Sequence, residues 1–240
     1  MPTDVYLISD PRFTLVTGVD DTYILANRGT TTTIGAADTL IINLDQTLII
    51  ENSKKLRIDG SLENSGTVTV NYGGTCYAYN GGVINNNKTI TVNSGGYCYA
   101  QSGGEINNNS GADINVTGFF ASFGINSTGS NSTINNSGTV TVNSGGNCYA
   151  EDSGEINNNV GGTITVKCDG KLFKQTGGVI NNSGTIINEP CQPPPIGAAA
   201  AKVHRSLFAN NSLVFYKSHS GSSSTGSGGV GNSRIKRRKT

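Results

Sequence analysis

The sequence predicts an all-β fold, a parallel β-helix (β-solenoid) of about 22 residues per coil, and three observations predict it. The phrase I-N recurs at Ile84, Ile106, Ile134, Ile156 and Ile180, in steps of 22, 28, 22 and 24 residues. A T-I-T-V-like phrase recurs with it, at Val68/Val70, Ile90/Val92, Ile114/Val116, Val140/Val142 and Ile164/Val166. The composition is poor in charge (14%), lacks Trp and is rich in Gly (33 residues), as repetitive β architectures with many turns are.

Each repeat divides into three short strands. The first reads x-I-N-N, the second T-(I/V)-T-V and the third x-C-Y-A, with Gly-Gly, Ser-Gly or Asn-Ser-Gly between them as turns require. Alternation in the second strand puts Ile and Val on one face and Thr on the other. Such a unit cannot bury its apolar face alone. Stacked copies can, with each coil resting on the last at the sheet spacing of about 4.8 Å.

Stacking also accounts for the asparagine triplets. Asn86, Asn108, Asn136, Asn158 and Asn182 fall in one column. Their amides either donate to one coil and accept from the other, or supply left-handed turn geometry. The x-C-Y-A strands align as Cys76, Cys98, Phe120, Cys148 and Leu172, an apolar and therefore inward column. The next residues, Tyr77, Tyr99, Ala121, Tyr149 and Phe173, then point outward. The rings of Tyr77, Tyr99, Tyr149 and Phe173 are the candidate binding residues, either a platform for sugar rings or a partner protein, or a cross-coil stack that stiffens the sheet. The long 28-residue step is assigned to an insertion over 122–132.

The repeat bounds the domains. Residues 1–38 lack the motif and are expected to form an N-terminal β cap. Residues 39–190 are the solenoid, and 191–240 hold a proline-rich stop, a Gly/Ser linker and a basic tail. Residues 202–240 carry eight Lys/Arg and no acid. That leaves nine basic and sixteen acidic residues in 1–201, a formal charge of 9 − 16 = −7. The tail, with Arg234, Lys236, Arg237, Arg238 and Lys239, is the candidate anchor for an anionic surface or nucleic acid.

No catalytic constellation stands out. Glu105 and Glu155 share a column two coils apart, about 10 Å by sheet spacing, with Glu151 and Asp152 nearby. No Lys/Arg cluster accompanies them, and both histidines, His204 and His219, lie in the tail. A CxxC pattern is absent, so no metal and no cofactor are expected. The five cysteines read as core residues. The opening MPTDVYLISDPRF lacks the basic flank of a secretory signal, and no apolar run approaches a membrane span, so synthesis in a reducing cytosol is expected.

The Asn/Gly/Thr repeats over 40–190 resemble those of parallel β-helix surface proteins found in bacterial adhesins, phage tail spikes and large DNA viruses. The stretch LVFYKSHSGSSSTGSGGVGNSRIKRRKT resembles the basic C-terminal tails on proteins of large algal DNA viruses. The resemblance implies a non-enzymatic structural or attachment protein. It would be a virion component made in host cytoplasm, or else reside in the cytoplasm or reach a cell surface by non-standard export. Its partners would be other structural proteins of a particle, with carbohydrate as the alternative ligand, bound or cleaved.

Overall fold

The computed structural model describes residues 3–26, 31–126 and 131–191, and these form an all-β parallel solenoid of three sheets. The chain visits an asparagine strand, a threonine strand and a cysteine strand in turn, then repeats one level up. The asparagine sheet has eight strands, from Thr3–Tyr6 to Val179–Asn182. The threonine sheet has nine, from Phe13–Leu15 to Thr185–Asn188, and the cysteine sheet seven, from Thr31–Ile34 to Lys171–Lys174. Residues 192–240, with the anchor residues Arg234, Lys236, Arg237, Arg238 and Lys239, lie outside the described residues.

Pairing follows the repeat. Val68, Ile90, Ile114, Val140 and Ile164 stand above one another, as do Ile84, Ile106, Ile134 and Ile156. Every one of these side chains is buried, so the two-residue alternation becomes one core running the length of the stack. Glycines at the corners keep this stacking close. A Cβ at Gly82 would run into the backbone of Ile58 in the coil below.

Coiling starts earlier than the motif. Thr22–Leu25 pairs in parallel with Thr47–Ile50, and Thr31–Ile34 with Lys55–Ile58, inside the stretch expected to be a separate cap. These strands keep the inward alternation while replacing the Asn and Val signature with Tyr23, Leu25 and Ile34. Among the described residues only Phe13–Leu15 runs antiparallel, against Thr22–Leu25. It covers the edge of the threonine sheet while Leu7 and Phe13 close the core. Arg12 closes a second edge. Its Nη1 donates to the Thr33 carbonyl at 2.7 Å while Nη2 pairs with Asp10 at 2.8 Å.

The insertion also sits differently. Cys98 stacks on Phe123 rather than Phe120, and Tyr99 stands beside Gly124 rather than Ala121. The extra residues divide between a bulged corner at 117–121 and the long connection 126–132. The strand Ser122–Ile125 places both Phe123 and Ile125 in the core, which a strand starting at Phe119 would forgo.

Candidate functional site

Two antiparallel amide ladders brace the asparagine sheet. The inner one runs upward. Asn64 Nδ2 donates to Asn86 Oδ1 at 2.7 Å, and the relay continues through Asn108, Asn136 and Asn158 to Asn182 at 2.7–2.8 Å per step. Each of these amides from Asn64 to Asn158 also donates to a backbone carbonyl of the threonine sheet, and the five are buried. The outer ladder runs downward from Asn181 through Asn157, Asn135 and Asn107 to Asn85, and ends on the Glu63 carboxylate at 2.6 Å. A carboxylate, which only accepts, suits the acceptor end of a donor chain. The column is thus a ladder, and Asn64 belongs to it.

The tyrosine stripe is two separate pairs. Tyr77 and Tyr99 stack at 5.2 Å and Tyr149 and Phe173 at 5.8 Å, with Gly124 between the pairs. The rings are half-buried and turn faces to each other. Burial pushes the Tyr99 phenol up to about 12 and raises those of Tyr77 and Tyr149. At the lower end Arg57 lies 4.1 Å over the Tyr79 ring and pairs with Asp59 at 2.6 Å. Each pair uses one face of each ring in this stacking, a contact that braces neighbouring coils.

Glu105 and Glu155 keep their shared column with Thr133 between them. Glu105 Oε1 accepts from Asn135 Nδ2 at 3.0 Å, which ties that carboxylate to the outer ladder. Glu151 and Asp152 sit on the next corner, where burial and then the Asp152 charge raise the Glu151 carboxyl.

The cysteines divide. Cys76, Cys98 and Cys148 are free and buried, as the apolar column requires. Cys168 and Cys191 are not core residues. They form a disulfide across 23 residues, one coil apart. In-register strands aim stacked cysteines the same way, but Cys168 lies in a turn and Cys191 beyond the last strand, where the backbone is free to bring the sulfurs together. Asp169 lies within reach of the pair, but disulfide sulfurs are not thiolates and offer no metal site.

One surface feature was not singled out in the sequence. A groove of about 740 Å3 climbs the corner between the threonine and cysteine sheets, lined by Thr117, Gly118, Asn143, Ser144, Lys167, Cys168, Glu189 and Pro190. At its foot the bulged corner turns Phe119 and Phe120 outward, 71% and 75% exposed. Phe120 has φ 62°, a left-handed conformation disfavoured for a bulky side chain. Lower on the same corner Tyr72 is 70% exposed and lies against Gly95, where a Cβ would collide with its ring. The signal was the doublet in T-G-F-F-A, hidden by placing Phe120 in the core.

No family model and no curated protein matches the chain. Among solved structures it is similar to a TibC-catalysed hyper-glycosylated TibA fragment, at 17% identity over 70% of this chain and 97% of that one. The TM-score is 0.12, so this likeness carries no argument about fold or function.

Proposed function

We propose that this chain is a non-enzymatic attachment or structural protein, a stiff β-solenoid rod that holds binding surfaces at fixed heights and is anchored in a larger assembly by its basic C-terminal stretch. The observation that supports this reading is the pair of amide ladders. Asn64 to Asn182 and Asn181 to Glu63 link successive coils through most of the stack, and the core is continuous beside them. Polar columns satisfied at every level resist the sliding and bending that would open their bonds. The Cys168–Cys191 disulfide favours a setting outside a reducing compartment, as an exposed attachment element has. A virion is the setting that the tail resemblance implies. Among the described residues, no helix is long and apolar enough to cross a membrane.

The test is removal of residues 193–240 from the tagged protein. Residues 1–192 are a compact unit by themselves, so the truncated protein keeps its melting temperature. Incorporation into the parent particle or complex, read by co-sedimentation, is lost. Normal incorporation of the truncated protein places the anchor on the rod instead. Turnover of a polysaccharide that fails in both Glu105→Gln and Glu155→Gln would replace the non-enzymatic reading with a carbohydrate-cleaving one.

A further inference from the structure

We propose that the corner groove is a binding site for a neutral oligosaccharide, held by the exposed aromatic rings beside its foot and by hydrogen-bonding side chains along a wall of no net charge. The inference rests on the attachment reading and gives it a ligand class.

Three features independent of one another meet here. The first is exposure against type. Phenylalanine is normally an interior residue, yet Phe119 and Phe120 are among the most exposed large apolar side chains of the described residues. The second is the backbone that presents them. Phe120 takes a left-handed φ of 62°, where glycine serves the equivalent corners at Gly95 and Gly145. The bulge adds a residue to a corner that elsewhere needs only 93–96 or 143–146. Gly145 lies directly against Phe119, since a Cβ there would come within 3.0 Å of the Phe119 ring and within 3.1 Å of its backbone. The third is the groove itself, which starts at Thr117 and Gly118, the two residues just before the rings, and continues past Ser144, the neighbour of the Gly145 that Phe119 touches.

The lining chooses the ligand. Pyranose rings have an apolar C–H face and a rim of hydroxyls. The face rests on an aromatic ring, and the rim bonds to amides and hydroxyls beside it. Asn143 Nδ2 is engaged with Thr117 Oγ1 at 3.2 Å, which leaves the Asn143 Oδ1 to accept from a sugar hydroxyl. Ser144 stands beside it. Lys167 and Glu189 contribute one charge of each sign, so the groove has no formal net charge to attract a polyanion. An acidic glycan or nucleic acid would call for a basic lining. Backbone bonds from Gly73 to Gly95 (2.8 Å) and from Gly95 to Phe119 (3.0 Å) tie the Tyr72 turn to the Phe119 turn along the same corner. Tyr72 therefore sits about 10 Å below the phenylalanines, two coils at the sheet spacing. An extended chain of several sugar units spans that distance, so a longer oligosaccharide gains a second ring contact.

The experiment is isothermal titration of the full, disulfide-intact chain with cellotetraose, chitotetraose, xylotetraose and maltotetraose, beside a heparin tetrasaccharide. Binding of at least one neutral tetrasaccharide that is insensitive to salt is expected, and binding of heparin alone overturns the proposal. Phe119→Ala with Phe120→Gly should weaken binding about tenfold or more, a loss of about 1.4 kcal/mol per decade. Phe120→Gly relieves the left-handed strain, so the variant should melt no lower than wild type. A merely structural doublet would show the opposite, lower stability and unchanged binding, and that result also overturns the proposal. Tyr72→Ala should weaken a hexasaccharide more than a disaccharide. Adhesion of the whole protein to its target surface separates the two readings. Adhesion unchanged in the Phe119/Phe120 variant sinks the groove and leaves the attachment reading standing, whereas sugar binding without any adhesion or incorporation sinks the attachment reading and keeps the groove.

Discussion

At the scale of single residues, position relative to the core decides what an asparagine contributes. Asn108 is buried, donates to Asn136 Oδ1 and to the Thr139 carbonyl, shares one of these hydrogens with the Ala112 carbonyl at 3.3 Å, and accepts from Asn86. Its neighbour Asn107 makes comparable amide bonds from a half-buried site where water can replace them. Asn108→Ala should cost about 3 kcal/mol because it strands buried partners, and Asn107→Ala about 1 kcal/mol or less. Urea unfolding of both variants checks this, and equal losses would mean that burial does not govern the ladders. The cysteines make a parallel case. Burial pushes the Cys148 thiol up to about 12, and the Cys76 thiol is raised by its contact with Cys98 and by burial. Thiol titration at neutral pH should therefore find none of the three free thiols in the native protein. It should find three after denaturation and five after denaturation with reduction. Rapid native labelling would show that the column is open to solvent.

At the scale of strands and turns, what was legible in the sequence was whatever repeats. The Ile and Val columns, the inner asparagines and Cys76, Cys98 and Cys148 stand where period and alternation put them. The misplacements all fall where the chain leaves its period. Phe120 and Phe123 lie three residues apart, so either could fill the cysteine column. Only the requirement that Ile125 also point inward selects Phe123. The disulfide was hidden because the geometry of in-register strands does not apply to Cys168 in a turn. The Phe119/Phe120 corner was hidden with it, since the same shift that freed Phe120 from the core made it a surface residue. The early coils lacked the Asn and Val signature but kept its inward alternation. One element there has a pH signature. The hydrogen bonds from Arg12 outweigh burial and hold the Asp10 carboxyl below its ordinary value of 3.8. A lowered folded-state pKa contributes stability above the ordinary value and loses it as pH falls through the lowered one. The melting difference between wild type and Asp10→Asn should therefore be positive at about pH 6 and vanish near pH 2. A difference that persists in acid would assign the loss to packing rather than charge.

At the scale of the whole solenoid, the two ends differ, and a nearly one-dimensional protein should register the difference. Each coil contacts mainly its neighbours, so stability is close to a sum of coil and interface contributions, and opening can begin at an end without disturbing the middle. The lower end is closed by the antiparallel strand Phe13–Leu15, by Leu7 and Phe13 over the core, and by Arg12 on the Thr33 carbonyl. At the upper end the described residues finish on the strands Lys171–Lys174, Val179–Asn182 and Thr185–Asn188, and Leu172, Ile180 and Ile186 are only partly buried. The Cys168–Cys191 disulfide ties that last coil to the one beneath it. Closing a loop of this length is worth about 3 kcal/mol in chain entropy, and the effect should fall on the coil that the loop contains. Hydrogen exchange of the oxidised protein should show the strongest protection in the middle coils, around Thr89–Val92 and Asp113–Val116. Reduction of the disulfide should speed exchange in Thr185–Asn188 and Val179–Asn182 while leaving the strands below Thr139 unchanged. Arg12→Ala should do the converse, loosening Thr31–Ile34 and nothing above the first coils. If either change altered protection evenly from end to end, the solenoid would unfold as one cooperative block. The disulfide would then stabilise the whole rod rather than its upper end.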